Sequence, residues 1–349
     1  MPRNVEDGGA AHGGSPGGAG MGASGRGGAG GAAGEPRAGS AAEPHSSYYV
    51  QDGALYDSCG EQVILRGVNH PTLYVDRRGT ALPEIAKTGA NSVRLFWFAT
   101  HGVPITDAEP AIAAAIAAQM IPILEMHDST CEWSLDPIVD YWTSDEALAL
   151  IKRFERHLIV NIANEASASS SSAFRAAYSA IVATMRDAGI HVPLMIDGSR
   201  CGRDHEVLLS QGKALLDADP DHNLIFSAHL YDPMSASELR SVYEAFARAK
   251  LPFIVGEFAN KSPPGCGAAL NYRALIEEAQ QHGVGWLAWS WGNDDPAASW
   301  NTDCAEFDMT RTFAFDSLEG WGEEVAVSHP ASIQNTSARP RSLTRGACR

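Results

Sequence analysis

The chain has 349 residues, 44% of them apolar, which suffices for a sizeable core in one large α/β domain or two smaller ones. Lys and Arg number 26 against 42 Asp and Glu, so the formal net charge is −16, and no window joins a basic cluster to interleaved aromatics. Nucleic acid and anionic membrane surfaces are therefore not expected partners.

Residues 1–46 are low-complexity Gly, Ala, Ser and Pro with almost nothing to bury, which predicts a disordered linker. The linker holds no apolar signal-peptide core, and it has no stretch long enough to span a bilayer. Linkers of this kind commonly tether exported catalytic domains. The expectation is a secreted or cell-surface tethered protein whose signal is not visible in this sequence.

From Tyr48 the character changes. "YYVQDGALYDSCGEQVILRGVN" sets the turn residues Asp52-Gly53 and Cys59-Gly60 between short alternating runs, which predicts a small hairpin leading into a first buried strand. Short apolar runs then recur at "VILRGVN" (63–69), "NSVRLFWF" (91–98), "MIPILEMHD" (120–128), "LIVNIANE" (158–165), "VPLMIDGS" (192–199), "NLIFSAHLY" (223–231), "PFIVGEF" (252–258) and "VGWLAWSW" (284–291). Between them, segments such as "ITDAEPAIAAAIAAQ" and "AALNYRALIEEAQQHG" carry helical apolar spacing, the second closing on Gly283 as a C-cap. Eight buried strands alternating with helices over roughly 250 residues predict an α/β protein, a (β/α)₈ barrel behind the N-terminal hairpin. A doubly wound open sheet is the alternative, but no G-x-G-x-x-G follows the first strand and no G-x-x-x-x-G-K-[ST] occurs. The predicted organisation is a linker over 1–46, a catalytic domain over 47–340 and a short tail over 341–349.

The six cysteines, Cys59, Cys131, Cys201, Cys266, Cys304 and Cys348, are too scattered for a structural zinc site. An even count suits an exported protein with one to three disulfides, Cys266 with Cys304 being the pair to test, against buried free thiols as the alternative.

Barrel enzymes place function at the C-terminal ends of their strands. Here those ends carry Arg94, His127 and Asp128, Asn164 and Glu165, His229 and Tyr231, Glu257, and Trp289 with Trp291. Period-two geometry puts His229 with Tyr231, and Trp289 with Trp291, on common faces. Two carboxylates facing each other across a barrel mouth suffice for glycosidic cleavage without metal or cofactor: at about 5–5.5 Å, one is the nucleophile and the other the acid/base. Arg94 can hold a carboxylate ionised, Asn164 can donate to a sugar 2-hydroxyl, and Trp289 offers a flat face to a pyranose ring.

The strings "NIANE", "SAHLY", "IVGEF" and "GWLAWSW" resemble glycoside hydrolase family 5, and "GVNHP", "IAKTGANSVRLF" and "ILEMHD" resemble its bacterial β-mannanase branch most. The likeness runs from about Tyr48 to Arg339. It implies a retaining (β/α)₈ glycosidase with Glu165 as acid/base and Glu257 as nucleophile, Tyr231 bonded to the nucleophile, and Arg94, His127, Asn164, His229 and Trp289 completing the inner site. The implied substrate is a β-1,4-linked polysaccharide of mannan type. The sequence departs from the branch at Ala166, where an aromatic is usual, at "LFWFATHG", and at "FANKSPPGCG" after Glu257.

Other readings of individual residues accompany this one. Trp291 is expected at a more distant sugar subsite, and Trp133 and Trp142 lie in a long third loop suited to further sugar contacts. Core is the alternative reading of Trp291 and Trp133, and the expected place of Trp97 and Trp286. Glu125 is expected in a buried polar network, and Asp128 and Asp197 are expected to fix loops. An endo-β-1,4-glucanase or another β-glycosidase of the family is an alternative activity. A non-catalytic carbohydrate-binding barrel, and a metal-dependent barrel enzyme using Glu125, His127, Asp197 and His229, are alternatives of other classes. An acidic surface around a self-contained barrel makes a monomer the expected state.

Overall fold

A computed structural model describes residues 45–292, 304–344 and 348. The linker expected over residues 1–46 lies, apart from its last two residues, outside the described residues. The chain first forms an antiparallel hairpin of β1 (Tyr49–Gln51) and β2 (Ala54–Tyr56). Its turn residues Asp52 (φ 50°) and Gly53 (φ 84°) both take positive φ, as the tight turns that match strand twist require.

Eight parallel strands then close a barrel: β3 (Arg66–His70), β4 (Ser92–Trp97), β5 (Ile121–Met126), β6 (Ile159–Asn161), β7 (Leu194–Asp197), β8 (Leu224–His229), β9 (Phe253–Phe258) and β10 (Gly285–Ala288), with β10 pairing back onto β3. Every residue in these strands is buried, since one face meets the barrel interior and the other the surrounding helices. That is why they read as continuous apolar runs and not as alternating ones. The runs outlast the strands, most of all at 158–165, where only Ile159–Asn161 joins the ladder. Burial continues past the last ladder bond, so apolar content alone does not mark where pairing stops.

The helices form around the barrel for local reasons. In Ala236–Ala249 the Ser235 hydroxyl accepts from the Glu238 N–H while the Glu238 carboxylate accepts from the Ser235 N–H, a reciprocal capping box. Helix Tyr272–His282 ends at Gly283, whose φ of 65° is the left-handed C-cap expected from the sequence.

Inside the barrel, Ile121, Ile123, Ile159, Met195, Ile225, Ile254 and Leu287 stack into an apolar floor, and Tyr48, Leu55 and Val63 of the hairpin region pack beneath it. The floor fills the end where the strands begin, which leaves the opposite end for polar side chains. The residues expected as a tail are fastened below: the Ser342 N–H donates to Asp57 Oδ2 (3.1 Å), and Cys348 is bonded to Cys59. Cys266 pairs with Cys304 as expected, and Cys131 pairs with Cys201, so no free thiol is present. Among the described residues no helix is long and apolar enough to cross a membrane.

Candidate active site

Arg94 is the hub of the barrel mouth. It is fully buried on β4, and isolated there a cation would be intolerable, so its fork is saturated. Nε donates to Asn161 Oδ1 (2.8 Å), and Nη1 donates to Asn69 Oδ1 (3.1 Å) and Glu257 Oε1 (2.6 Å). Nη2 donates to Asn164 Oδ1 (2.8 Å) and Asp197 Oδ2 (3.3 Å), and stands 3.3 Å from Glu125 Oε1. Burial pulls the guanidinium down, but Glu125, Asp197 and Glu257 together raise it above the ordinary arginine value. It is permanently charged.

Glu257, at the end of β9, takes Arg94 on Oε1 and accepts from the Tyr231 hydroxyl on Oε2 (3.0 Å). Burial raises its carboxyl, while His229 and Arg94 pull the other way. The net direction is upward, and the Arg94 guanidinium at 2.6 Å is the contact that favours the ionised form. Tyr231 is itself raised well above the usual phenol value by burial and then by Glu257, so it remains a proton donor.

Glu165 lies beyond the end of β6 in a left-handed backbone conformation (φ 52°) that a non-glycine residue adopts only when its surroundings impose it. Its N–H points to Asp197 Oδ2 (3.4 Å), and its carbonyl accepts from the Cys131 N–H (3.3 Å). At 8% exposed it is the most accessible of the four mouth carboxylates. One carboxylate oxygen of Glu165, one of Glu257 and a ring nitrogen of His229 all lie within 4.8 Å of one another.

His229 joins the two glutamates. Its Nδ1 is 2.8 Å from Glu165 Oε1 and 3.4 Å from Glu257 Oε2, and its Nε2 is 3.5 Å from Asp197 Oδ2. Burial works against the charged ring, yet Glu257, Asp197 and Glu165 outweigh it and push the imidazole up to about 9. Two glycines make the slot for the ring: a Cβ on Gly202 would stand 2.7 Å from its Cγ, and one on Gly256 would stand 3.2 Å from its Nε2. His127 behaves alike, burial lowering it and Glu125, bonded to its Nδ1 at 2.8 Å, raising it further. Three carboxylates surround one permanent cation, Glu165 lies beyond His229, and two histidines drawn toward their charged forms approach the balance.

The metal alternative meets this same geometry. The space between Glu125 and Asp197 is taken by the Arg94 guanidinium, whose charge opposes a cation among those ligands.

Several expectations need correction. Trp291 is fully buried, with its indole N–H donating to the Phe313 carbonyl, so it is a core residue and not a sugar subsite. β10 ends at Ala288, so Trp289 and Trp291 never share a strand face, and β8 likewise ends at His229, before Tyr231. Trp142 is also core, donating to the Ile162 carbonyl, whereas Trp133 is 39% exposed. Trp289 is 5% exposed and lies nearly parallel to Phe96 (4.9 Å) and His127 (5.7 Å). Asn164 spends one amide donor on Thr130 Oγ1 (2.9 Å), leaving the other for a ligand. Asp128 fixes a loop as expected, accepting from the Ala99 and Thr100 amides. Asp197 does so in part, accepting the Glu165 N–H beyond β6, and it also sits in the polar layer on Arg94, Asn161 and His229. Asn69 and Asn161 belong to this layer as well. Asn69 pairs in register with Arg94, and Asn161 with Glu125, a signal that a register-resolved reading of the runs would have found.

The fold and the mouth together define a class: a (β/α)₈ barrel with two carboxylates converging at the C-terminal ends of its strands, the arrangement glycoside cleavage uses. The family described as Cellulase (glycosyl hydrolase family 5) matches residues 56–295. A mannan endo-1,4-beta-mannosidase of Cellvibrio japonicus (strain Ueda107) is 31% identical over 315 residues, covering 86% of this chain and 70% of that protein. Another, from Salipaludibacillus agaradhaerens, is 30% identical over 305 residues, covering 84% and 94%. A solved β-mannanase of Streptomyces thermolilacinus with mannohexaose superposes with a TM-score of 0.76 at 29% identity, covering 86% of this chain and 99% of that one. The chain belongs to glycosyl hydrolase family 5 and is a glycoside hydrolase.

Proposed function

We propose that this hydrolase is an endo-β-1,4-mannanase acting with retention, with Glu257 as nucleophile and Glu165 as acid/base. The observation that carries the mechanism is the approach of the two carboxylates to within 4.8 Å, which matches the short separation of direct attack and falls well below the roughly 6.5–9.5 Å of inverting pairs. The unequal partners divide the roles: Glu257 is held ionised by Arg94, while Glu165 is the more exposed and exchanges protons with solvent. A Glu257 oxygen bonds to the anomeric carbon as the bond to the glycosidic oxygen breaks, and the Glu165 proton goes to that oxygen. Water then attacks the same carbon, gives its proton to Glu165 and releases Glu257.

Mannan as substrate rests on the names of the relatives at about 30% identity. Trp289 and the free Asn164 donor are assigned to the sugar in the subsite beside Glu257. The catalytic unit spans 47–340, the protein acts as a monomer, and it is secreted or tethered outside the cell, in keeping with three disulfides.

Reducing-sugar release from galactomannan, glucomannan, carboxymethylcellulose and xylan, with E257A alongside, tests this reading. Release from the mannans, abolished in E257A and indifferent to a chelator, is expected. Release from carboxymethylcellulose alone replaces the mannanase with an endo-β-1,4-glucanase, and silence on every polymer returns the barrel to a binding role.

A further inference from the structure

Around Glu165 the backbone is unusual in one respect: Ser129, Cys131, Glu165, Arg200 and Cys201 all have positive φ without being glycine, between 52° and 71°. Such conformations persist where the surroundings over-determine them. Here the surroundings include the Cys131–Cys201 disulfide, which joins the loop after β5 to the loop after β7. Both half-cystines reach the same glutamate. The Cys131 N–H donates to the Glu165 carbonyl, and the Cys201 N–H donates to Ser167 Oγ (2.9 Å), a hydroxyl that donates in turn to the Glu165 carbonyl (3.3 Å). The Ser167 N–H donates to the Glu132 carbonyl (2.8 Å), closing the ring. Gly202, next to Cys201, packs on the His229 ring and accepts the His229 N–H on its carbonyl (2.9 Å).

The side chain lies between His229 and the same bond. His229 occupies Glu165 Oε1 at 2.8 Å, while Cys131 Sγ stands 4.0 Å from Oε2. A disulfide sulfur has no proton to donate, so Oε2 faces a soft, non-donating surface and is the oxygen left to carry the catalytic proton.

The geometry points to the Cys131–Cys201 disulfide as a positioning pair for the acid/base: it locks the backbone of Glu165 and keeps Oε2 free of donors and aimed at the glycosidic oxygen. This rests on the acid/base role proposed above. Without the bond both loops are released, and proton delivery suffers before substrate binding does.

The test compares two substrates on intact protein and on C131A/C201A: a mannooligosaccharide, whose sugar leaving group needs a proton, and the 2,4-dinitrophenyl glycoside of the same oligosaccharide, whose leaving group does not. Expected is a fall in kcat/KM of roughly 100-fold for the oligosaccharide and less than about threefold for the dinitrophenyl glycoside, general acid catalysis being worth at least the first factor. The ratio of the two values is independent of how much of the variant folds, so partial misfolding leaves the comparison intact. C131S/C201S is expected to give the same ratio. Equal losses on both substrates, or none, overturn the positioning role. Intact protein that cleaves neither overturns the mannanase reading itself, and this inference with it.

Discussion

His229 lies among three carboxylates with its imidazole pushed up to about 9, which makes its charge a term in stability. The folded state holds this proton more tightly than the free side chain does near 6.5. The resulting stabilisation is therefore complete below about pH 6.5 and is lost as pH rises through about 9. A urea midpoint that falls between these values in the parent, and falls less steeply in H229Q, is expected; identical slopes would show that the ring carries no such proton. At this scale much of the site was legible, because a carboxylate ending a buried apolar run stands out against the cost of burying it. Asp197 was legible only in part, since an aspartate at a strand end reads alike whether it fixes a loop, faces a guanidinium or does both, as here. Trp291 misled for a different reason. An indole two positions after another suggests a shared strand face, and only the early end of β10 removes that inference.

The N-terminal hairpin works as a plug. Tyr48 is fully buried under the barrel floor, and its hydroxyl lies 3.4 Å from Ser342 Oγ. Y48A empties a ring-sized volume and is expected to cost about 3–5 kcal/mol in denaturant unfolding. Because the hairpin lies at the end of the barrel away from Arg94 and Glu257, kcat of the folded fraction is expected to remain within about twofold, a change far below 1.4 kcal/mol per tenfold. The eight strand runs were readable because two-sided burial forces continuous apolar sequence. Their ends were not, because side chains beyond the ladder remain buried: Ile162 and Ala163 follow β6 and are both fully covered. Helix ends were clearer, since Gly283 and the Ser235–Glu238 box carry their own local chemistry.

At the scale of the molecule the disulfide Cys59–Cys348 closes a loop with a sequence separation of 289, joining the segment after the hairpin to the far end of the chain. Cross-links of this kind stabilise by restricting the unfolded chain, typically by about 2–5 kcal/mol, so C59A/C348A is expected to lower the unfolding free energy from urea denaturation by that amount while leaving kcat unchanged. The sequence favoured Cys266 with Cys304 but gave no ground for choosing the other two pairs, because the barrel closure that brings residues 59 and 348 together is a tertiary event. Barrel class and catalytic end were legible together, through polar residues gathered at the closing ends of successive runs. What binds these scales is the proposed retaining displacement, with Glu257 as nucleophile and Glu165 as acid/base, and the configuration of the first product reports on it directly. Proton NMR of mannohexaose hydrolysis, followed through the anomeric signals before mutarotation, is predicted to show the β-anomer of the new reducing end forming first. The α-anomer forming first would mean inversion, and would contradict Glu257 as nucleophile.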